Sequence, residues 1–262
     1  MKKKVYVRLV SDIHLEFRNK EVFISPFDKM DDIITCCILA GDIGNPNSST
    51  YYSFLTKMKK NFDYVLVIAG NHEYYKGDDM NLINEKIYQV CLETGCIFLN
   101  QNSYKIGNLK FLGCTLWSHI PPEDMINLKN GLNDFNKIKI NNHLLTVDQY
   151  NELHQDHLSW LHSELNNVTP DESVIIITHH APSYQMIQAK YQNDKLNKGF
   201  VTNLEYMFKP PIIAWFSGHT HNSVTVTINN IECSSNCLGY PGENEREKFY
   251  RPNFKSEFIS DL

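Results

Sequence analysis

Five short apolar runs constrain the fold of this chain more than any other feature. Each run has the length of a strand and is almost continuously apolar, and together they occupy residues 5–10, 33–40, 64–69, 174–178 and 212–217. Strands that are apolar on both faces are typical of a sheet that is covered by other layers on both sides. The runs therefore predict buried strands inside a layered α/β structure.

Helix and hairpin signals lie between these runs. The segments with helical periodicity or a polar start are 49–61, 79–94 and 147–166. Two further segments, 103–117 and 223–235, favour β-hairpins that turn at Gly107-Asn108 and at Asn229-Asn230. Because hairpins add antiparallel neighbours, we expect a mixed sheet or two packed sheets.

The chain shows no internal repeat and no low-complexity linker, so the sequence favours a single domain over residues 1–262. Segment 118–145 is rich in Asn, Lys and Pro and lacks a clean period. We interpret it as an inserted cap or a long loop. The tail 238–262 also shows little periodicity.

Composition excludes several classes of protein. With 42% hydrophobic and 21% charged residues, the chain is not a disordered segment. No apolar run approaches the roughly 18 residues needed to cross a bilayer, so no membrane association is expected. The formal net charge of −5 argues against polyanion binding through bulk charge. The seven cysteines include no CxxC pair and are expected to be reduced, which favours a cytoplasmic location.

Each apolar run ends in polar residues of one chemical character. Carboxylate, imidazole and amide groups follow the runs, at Asp12 and His14, Asp42, Asn71 and His72, His179 and His180, and His219 and His221. Open α/β sheets place their sites at the carboxyl ends of strands. Two of the pairs are spaced i, i+2, which in extended backbone points both side chains to one side. Oxygen and nitrogen donors without thiolate suit Mn, Fe or Zn.

The segments SDIH, GDIGN, GNHE, THHAPS and GHTH, in this order between residues 11 and 221, resemble the motifs of calcineurin-like metallophosphoesterases. The resemblance implies a four-layer α/β/β/α sandwich with two mixed central sheets. It also implies two divalent metal ions (Mn, Fe or Zn). The ligands carried over by position are Asp12, His14 and His221 for one metal, Asn71, His179 and His219 for the other, and Asp42 as the bridge.

The activity implied by this resemblance is that of a dinuclear metal-dependent phosphohydrolase. Such an enzyme cleaves a phosphomonoester or a phosphodiester by attack of a metal-bridging hydroxide, and His72 would lie near the leaving group. Where the protein Ser/Thr phosphatases of the family place an Asp that holds this histidine, the chain has Asn45. Since an amide supplies no negative charge, we expect His72 to be a weaker general acid that favours good leaving groups.

Several nearby residues are given lesser roles. We expect His180 to support the site or pack beside it, and His119, which leads into segment 118–145, to contact substrate. Glu73 is expected to be a structural hydrogen-bonding partner. His154 and His157 lie on a polar helical segment and are expected on its solvated face.

A small phosphorylated molecule is the favoured substrate, and no protein partner is readable from the sequence. Segment 118–145 and the tail are expected to form the substrate wall. Two alternatives stay open. A nuclease would need a basic track beside the site, and the sequence contains no concentrated one. A non-catalytic scaffold of the same fold would tolerate loss of ligands, whereas every expected ligand type is present here.

Overall fold

Two β-sheets packed face to face carry all five apolar runs. The computed structural model describes residues 2–28, 30–242 and 250–261. The strands in these ranges are β1 (Lys2–Val10), β2 (Ile33–Ala40), β3 (Tyr64–Ile68), β4 (Ile97–Phe98), β5 (Asn102–Ile106), β6 (Leu109–Cys114), β7 (Lys139–Ile140), β8 (His143–Leu144), β9 (Ser173–Thr178), β10 (Ile212–Ser217), β11 (Thr225–Ile228), β12 (Ile231–Ser235) and β13 (Ser256–Asp261). The α-helices are α1 (Ser49–Asn61), α2 (Met80–Thr94), α3 (Met125–Gly131), α4 (Asp134–Lys137) and α5 (Val147–Asn166).

Both sheets are mixed. The two predicted hairpins supply the antiparallel edges of the second sheet, whereas strand β13 of the tail supplies that of the first. The first has the order β13-β1-β2-β3-β4, in which only the β13–β1 pair is antiparallel. The second has the order β11-β12-β10-β9-β6-β5, with an antiparallel pair at each edge. The parallel centres bring the carboxyl ends of β1, β2 and β3 to one edge of the first sheet, and those of β6, β9 and β10 to one edge of the second.

Alternate residues of the buried strands pack into two different layers. In β2, Cys36 and Ile38 face the second sheet, whereas Cys37 and Leu39 face helices α1 and α2. The second sheet behaves in the same way, because its outer face packs on Leu161 of α5. The layers therefore run α/β/β/α, and the predicted four-layer sandwich is confirmed.

The local turn signals were reliable. The hairpin β5–β6 turns between Ile106 and Leu109, and the hairpin β11–β12 turns between Ile228 and Ile231, as the sequence predicted. The tail differs from expectation, because Ser256–Asp261 form β13 and pair with β1, while residues 243–249 and 262 of the tail lie outside the described residues. In the described part of the chain, no helix combines the length and the apolar character that crossing a bilayer requires.

Segment 118–145 has more structure than a long loop. It contains α3, α4 and the small β7–β8 ribbon. Leu128, Phe135 and Ile138 of this segment are buried in the same core that holds α1 and α2. The apolar residues of the segment are spaced too irregularly to show a period in the sequence, but these three pack in the core.

The predicted solvated face of α5 was wrong for two of its histidines. His154 and His157 are buried, with only 3% and 4% of their surface exposed. The His157 ring accepts the Leu116 N–H at 2.9 Å, and the His154 ring contacts the Trp117 carbonyl oxygen. Burial lowers the pKa of His157 to about 3, so this ring is neutral. These imidazoles satisfy backbone groups beyond the end of β6.

Glu73 ties together the turns that follow β2 and β3. Its buried carboxylate accepts the N–H groups of Asp42 at 3.0 Å, Ile43 at 2.7 Å and Gly70 at 2.7 Å. Burial and the neighbouring Asp42 raise the pKa of Glu73 to about 7, and the backbone donors oppose that rise. The sequence prediction of a structural hydrogen-bonding role agrees with these contacts.

Replacing Glu73 tests how much this carboxylate stabilises the fold. In Glu73→Gln, the amide group cannot accept all of these N–H groups, and at least one buried donor loses its partner. We expect the free energy of unfolding to fall by about 1–3 kcal/mol, the cost of leaving a buried donor without a partner. Urea unfolding followed by circular dichroism measures the change. Glu93→Gln, on the exposed side of α2, is the matched control and should change stability by less than about 0.5 kcal/mol. Equal midpoints for both variants would contradict the role.

Candidate metal centre

The polar residues that end the apolar runs converge at one end of the two sheets. None of the seven is more than 7% exposed. They follow five different strands: Asp12 and His14 after β1, Asp42 after β2, Asn71 after β3, His179 after β9, and His219 and His221 after β10. The structure thus places the seven residues that the sequence singled out as metal ligands in one buried cluster.

Most of these residues adopt left-handed backbone. The positive φ angles are +52° at Asp12, +52° at His14, +54° at Asp42, +64° at His219 and +49° at His221. The sequence argument assumed extended backbone at the two i, i+2 pairs, and that assumption was wrong. The pairs lie just beyond the strands, where alternate residues turn left-handed. Residues other than glycine rarely adopt this conformation. The exceptions are found most often at functional sites.

Asp12, His14 and His221 form the first group of ligand-type side chains. The His221 Nε2 lies 3.2 Å from the Asp12 Oδ1 and 3.0 Å from the His14 Nε2. One ligand atom from each residue lies within 4.8 Å of the others. This spacing is compatible with one shared cation.

Asp42, His179 and His219 form the second group, with the same maximum spacing of 4.8 Å. The His179 Nε2 lies 3.4 Å from the Asp42 Oδ1 and 3.2 Å from the Asn71 Oδ1. The other oxygen of Asp42, Oδ2, lies 3.9 Å from the His14 Nε2 in the first group. The Asp42 carboxylate therefore faces both groups.

These residues fit a pair of divalent cations. The donors are carboxylate, amide and imidazole atoms, which is the set that Mn, Fe and Zn accept. The buried His219 Nε2 has no hydrogen-bond partner in the described part of the chain. A buried ring nitrogen without a partner is costly unless another group, such as a metal ion, satisfies it.

The ionisation of the clustered side chains also suits cations. Burial opposes ionisation of Asp12 and Asp42, yet the adjacent imidazoles hold the pKa of each carboxyl below its usual range. Burial lowers the pKa of His179, but Asp42 outweighs that effect and raises it to about 10. Burial also lowers the pKa of His219 to about 3. The Asp42 carboxylate thus favours positive charge beside it, here a protonated His179 ring.

The neighbours of His179 fix its orientation. Its Nδ1 donates to the Ala40 carbonyl oxygen at 2.8 Å, which leaves Nε2 facing Asp42. The two glycines beside it leave the necessary room. A Cβ at Gly41 would lie 2.5 Å from the His179 Nδ1, and one at Gly70 would lie 2.2 Å from the Asp42 Oδ1. Neither position can carry a side chain without moving a ligand-type residue.

His72 lies beside the cluster and differs from expectation in its partners. Its Nδ1 is 3.2 Å from the Glu16 Oε1, and its Nε2 is 2.8 Å from the Tyr240 hydroxyl. Asn45 makes no hydrogen bond to the ring, and its side-chain oxygen accepts the Asn47 N–H instead. Burial lowers the pKa of His72, but Asp42 and Glu16 outweigh it and the net shift is upward. The expectation of a weaker acid rested on the missing charge at Asn45, whereas Glu16 places a carboxylate beside this ring.

The other expected supporting residues have different positions. His180 is buried, its Nδ1 contacts the Ser118 hydroxyl at 2.8 Å, and its ring lies 4.1 Å from that of His219. It packs against a ligand-type residue, as expected. His119 is exposed and does not line the cavity described below, so the structure gives no support to the expected substrate contact.

A cavity of about 290 Å³ opens onto the cluster. Asp42, Asn71, His72, His219 and His221 form its floor. Its wall includes Asp134 of segment 118–145, Tyr240 of the tail, and Tyr191, Asp194 and Phe200 from the loops between β9 and β10. Both segments that the sequence left without a motif thus contribute to the wall.

Sequence reasoning missed three residues of the site. Glu16 follows His14 by two positions and could have been suspected from that spacing alone. Tyr240 and Asp134 carry no local signal, because the parts of the chain that hold them lack a motif. Their positions follow only from how the tail and segment 118–145 fold back over the sheet ends.

Comparison with known proteins agrees with this geometry. The family model described as calcineurin-like phosphoesterase matches residues 6–223. Uncharacterized protein L509 of Acanthamoeba polyphaga mimivirus is 32% identical over 266 residues and covers 93% of both chains. The phosphopantetheinyl hydrolase of Mycobacterium tuberculosis has a similar fold, with a TM-score of 0.70 at 15% identity over 97% of this chain and 96% of that one. The chain belongs to the calcineurin-like phosphoesterase family and is a phosphoester hydrolase.

Proposed function

We propose that this chain hydrolyses a small organic phosphate ester at a site that holds two divalent metal ions. Asp12, His14 and His221 bind one ion, Asn71, His179 and His219 bind the other, and Asp42 bridges them. The observation that carries this assignment is the position of the Asp42 carboxylate, whose two oxygens face the two groups of ligand-type side chains.

The metals, when bound, would place positive charge against the phosphate oxygens and lower the pKa of an attacking water. The chain's own residues supply the rest. His72 lines the cavity, and its Nε2 already contacts a hydroxyl, that of Tyr240. This atom is therefore placed to give a proton to the oxygen of a departing alcohol. Glu16, on the other ring nitrogen, favours the protonated ring that such a donor needs.

The cavity favours a substrate whose alcohol part is uncharged or cationic. Two acidic residues, Asp134 and Asp194, line it, together with Tyr75, Tyr191 and Phe200. No lysine or arginine from residues 2–28, 30–242 or 250–261 lines it. A second negative group on the substrate would thus meet carboxylates of like charge. The same wall disfavours the nuclease alternative, since nucleic acids are polyanions.

Metal content tests the proposal directly. The wild-type chain, dialysed against Mn²⁺ and measured by plasma mass spectrometry, should hold two ions per chain. His219→Ala should hold one and lose at least about 100-fold in kcat, since one ligand of the second ion is gone. His143→Ala, which removes an exposed imidazole on β8, is the control and should retain both ions. A wild-type chain that takes up no divalent ion would refute the proposal.

Leaving-group dependence tests the role of His72. Because a proton donor matters most when the departing oxygen is strongly basic, His72→Gln should lower kcat on alkyl phosphates by about 10²–10⁴-fold. The loss on p-nitrophenyl phosphate should be much smaller. Glu16→Gln should also lower kcat on both kinds of ester, but by smaller factors than His72→Gln. Metal content and thermal melting serve as controls for an intact site, and equal losses on the two ester classes would contradict proton donation.

A panel of phosphate esters assayed in Mn²⁺ tests the substrate class. Phosphoethanolamine and glycerol phosphate should have higher kcat/KM than 3-phosphoglycerate, whose carboxylate would face Asp134 and Asp194. Asp194→Asn should narrow that difference in kcat/KM, whereas Asp148→Asn, which changes an exposed carboxylate on α5, should not.

The same assay separates the classes of ester. Bis-p-nitrophenyl phosphate compared with p-nitrophenyl phosphate distinguishes diesters from monoesters, and a phosphopantetheinyl ester tests the group that the structural neighbour is named for. A preference for single-stranded oligonucleotides with steep salt dependence would instead favour a nuclease.

A further inference from the structure

The side chain of Asn71 is held by two groups that belong to neither proposed metal. Its amide Nδ2 lies 2.8 Å from the Tyr75 hydroxyl and 2.9 Å from the Asp134 Oδ1. An amide nitrogen carries two hydrogens, so both are used by these partners. The Asn71 Oδ1 then faces the second group, 3.2 Å from the His179 Nε2.

Tyr75 and Asp134 also bind each other, and this contact fixes which group donates in each of the three hydrogen bonds. The Tyr75 hydroxyl donates its hydrogen to the Asp134 carboxylate. Its oxygen is therefore left to accept from Asn71. The two atoms around the Asn71 nitrogen, the Tyr75 hydroxyl oxygen and the Asp134 Oδ1, are thus both acceptors. If the amide were rotated by 180°, its own oxygen would face these acceptors and could bind neither. The rotated form is disfavoured by the loss of two hydrogen bonds in a buried site.

Asp134 comes from segment 118–145 and is firmly placed there. It is only 2% exposed, and its carbonyl oxygen accepts the Ile138 N–H at 2.9 Å. Phe135, inside this turn, and Ile138, at its end, are buried in the core beneath. The segment therefore presents Asp134 from a packed element instead of a free loop.

We propose that Asp134, together with Tyr75, is a positioning residue that fixes the Asn71 amide with its oxygen toward the second metal. Segment 118–145 is then part of the metal site as well as a wall of the cavity. This inference rests on the two-metal site proposed above. Residues that orient a ligand in this way typically change metal affinity by about 10–100-fold when they are replaced.

Stepwise Mn²⁺ binding to the metal-free chain, measured by calorimetry with a competing chelator, tests the inference. Asp134→Ala should weaken one binding step by about 10–100-fold and leave the other unchanged. Asn71→Ala identifies which step belongs to Asn71. Adding Asp134→Ala to Asn71→Ala should have no further effect, because the carboxylate acts through that amide.

Conservative variants separate positioning from charge and from general destabilisation. Asp134→Asn should recover most of the affinity, since its side-chain oxygen can accept from both Tyr75 and Asn71. Tyr75→Phe should weaken the same step as Asp134→Ala. Asp148→Ala, in an exposed part of α5, is the matched control.

Three results would overturn the inference. They are wild-type affinities in Asp134→Ala, equal weakening of both steps, and an Asp134→Asn variant as weak as Asp134→Ala. A wild-type chain that binds no Mn²⁺ would instead refute the proposed function itself, so the two failures are distinguishable.

Discussion

The burial of two carboxylates among four imidazoles, at the place where both sheets end, is the interaction on which the rest of the site depends. Asp12 and Asp42 are almost completely buried, and buried charge is tolerated only when other charges compensate it. The parallel centres of the sheets bring the compensating histidines from strands far apart in sequence. Left-handed backbone at most of these positions then turns the side chains toward one another. Fold and site are thus set by the same strand ends.

Much of the fold and the ligand-type cluster could be predicted because both rest on local patterns. Strand-length apolar runs have few alternatives to a buried sheet, and the residues that end them share a chemistry that points to cations. Asn229-Asn230 and Gly107-Asn108 likewise carry turn propensity in their own side chains and backbone. What the sequence could not give was the backbone conformation at Asp12 and His14, since i, i+2 spacing is compatible with extended and with left-handed geometry.

Contacts between distant segments escaped prediction for a physical reason. Glu16 supplies the negative charge that Asn45 lacks, and its spacing from His14 indicates a place near the site but not a contact with His72. Asp134 meets Asn71 across 63 residues, and Tyr240 meets His72 across 168. His154 and His157 illustrate the same limit, because a polar helix face is buried when neighbouring backbone groups need partners. Such roles depend on tertiary packing, which has no period in the sequence.

Glu73 touches neither proposed cation, yet it joins the turn that carries Asp42 to the turn that precedes Asn71. The gap between those turns is consequently set by the reach of one carboxylate. A shorter acid at this position would pull the two turns together or leave a donor without a partner, and in either case the separation of Asp42 from Asn71 would change. The spacing between these two ligand-type residues thus depends on a side chain that is not itself a candidate ligand.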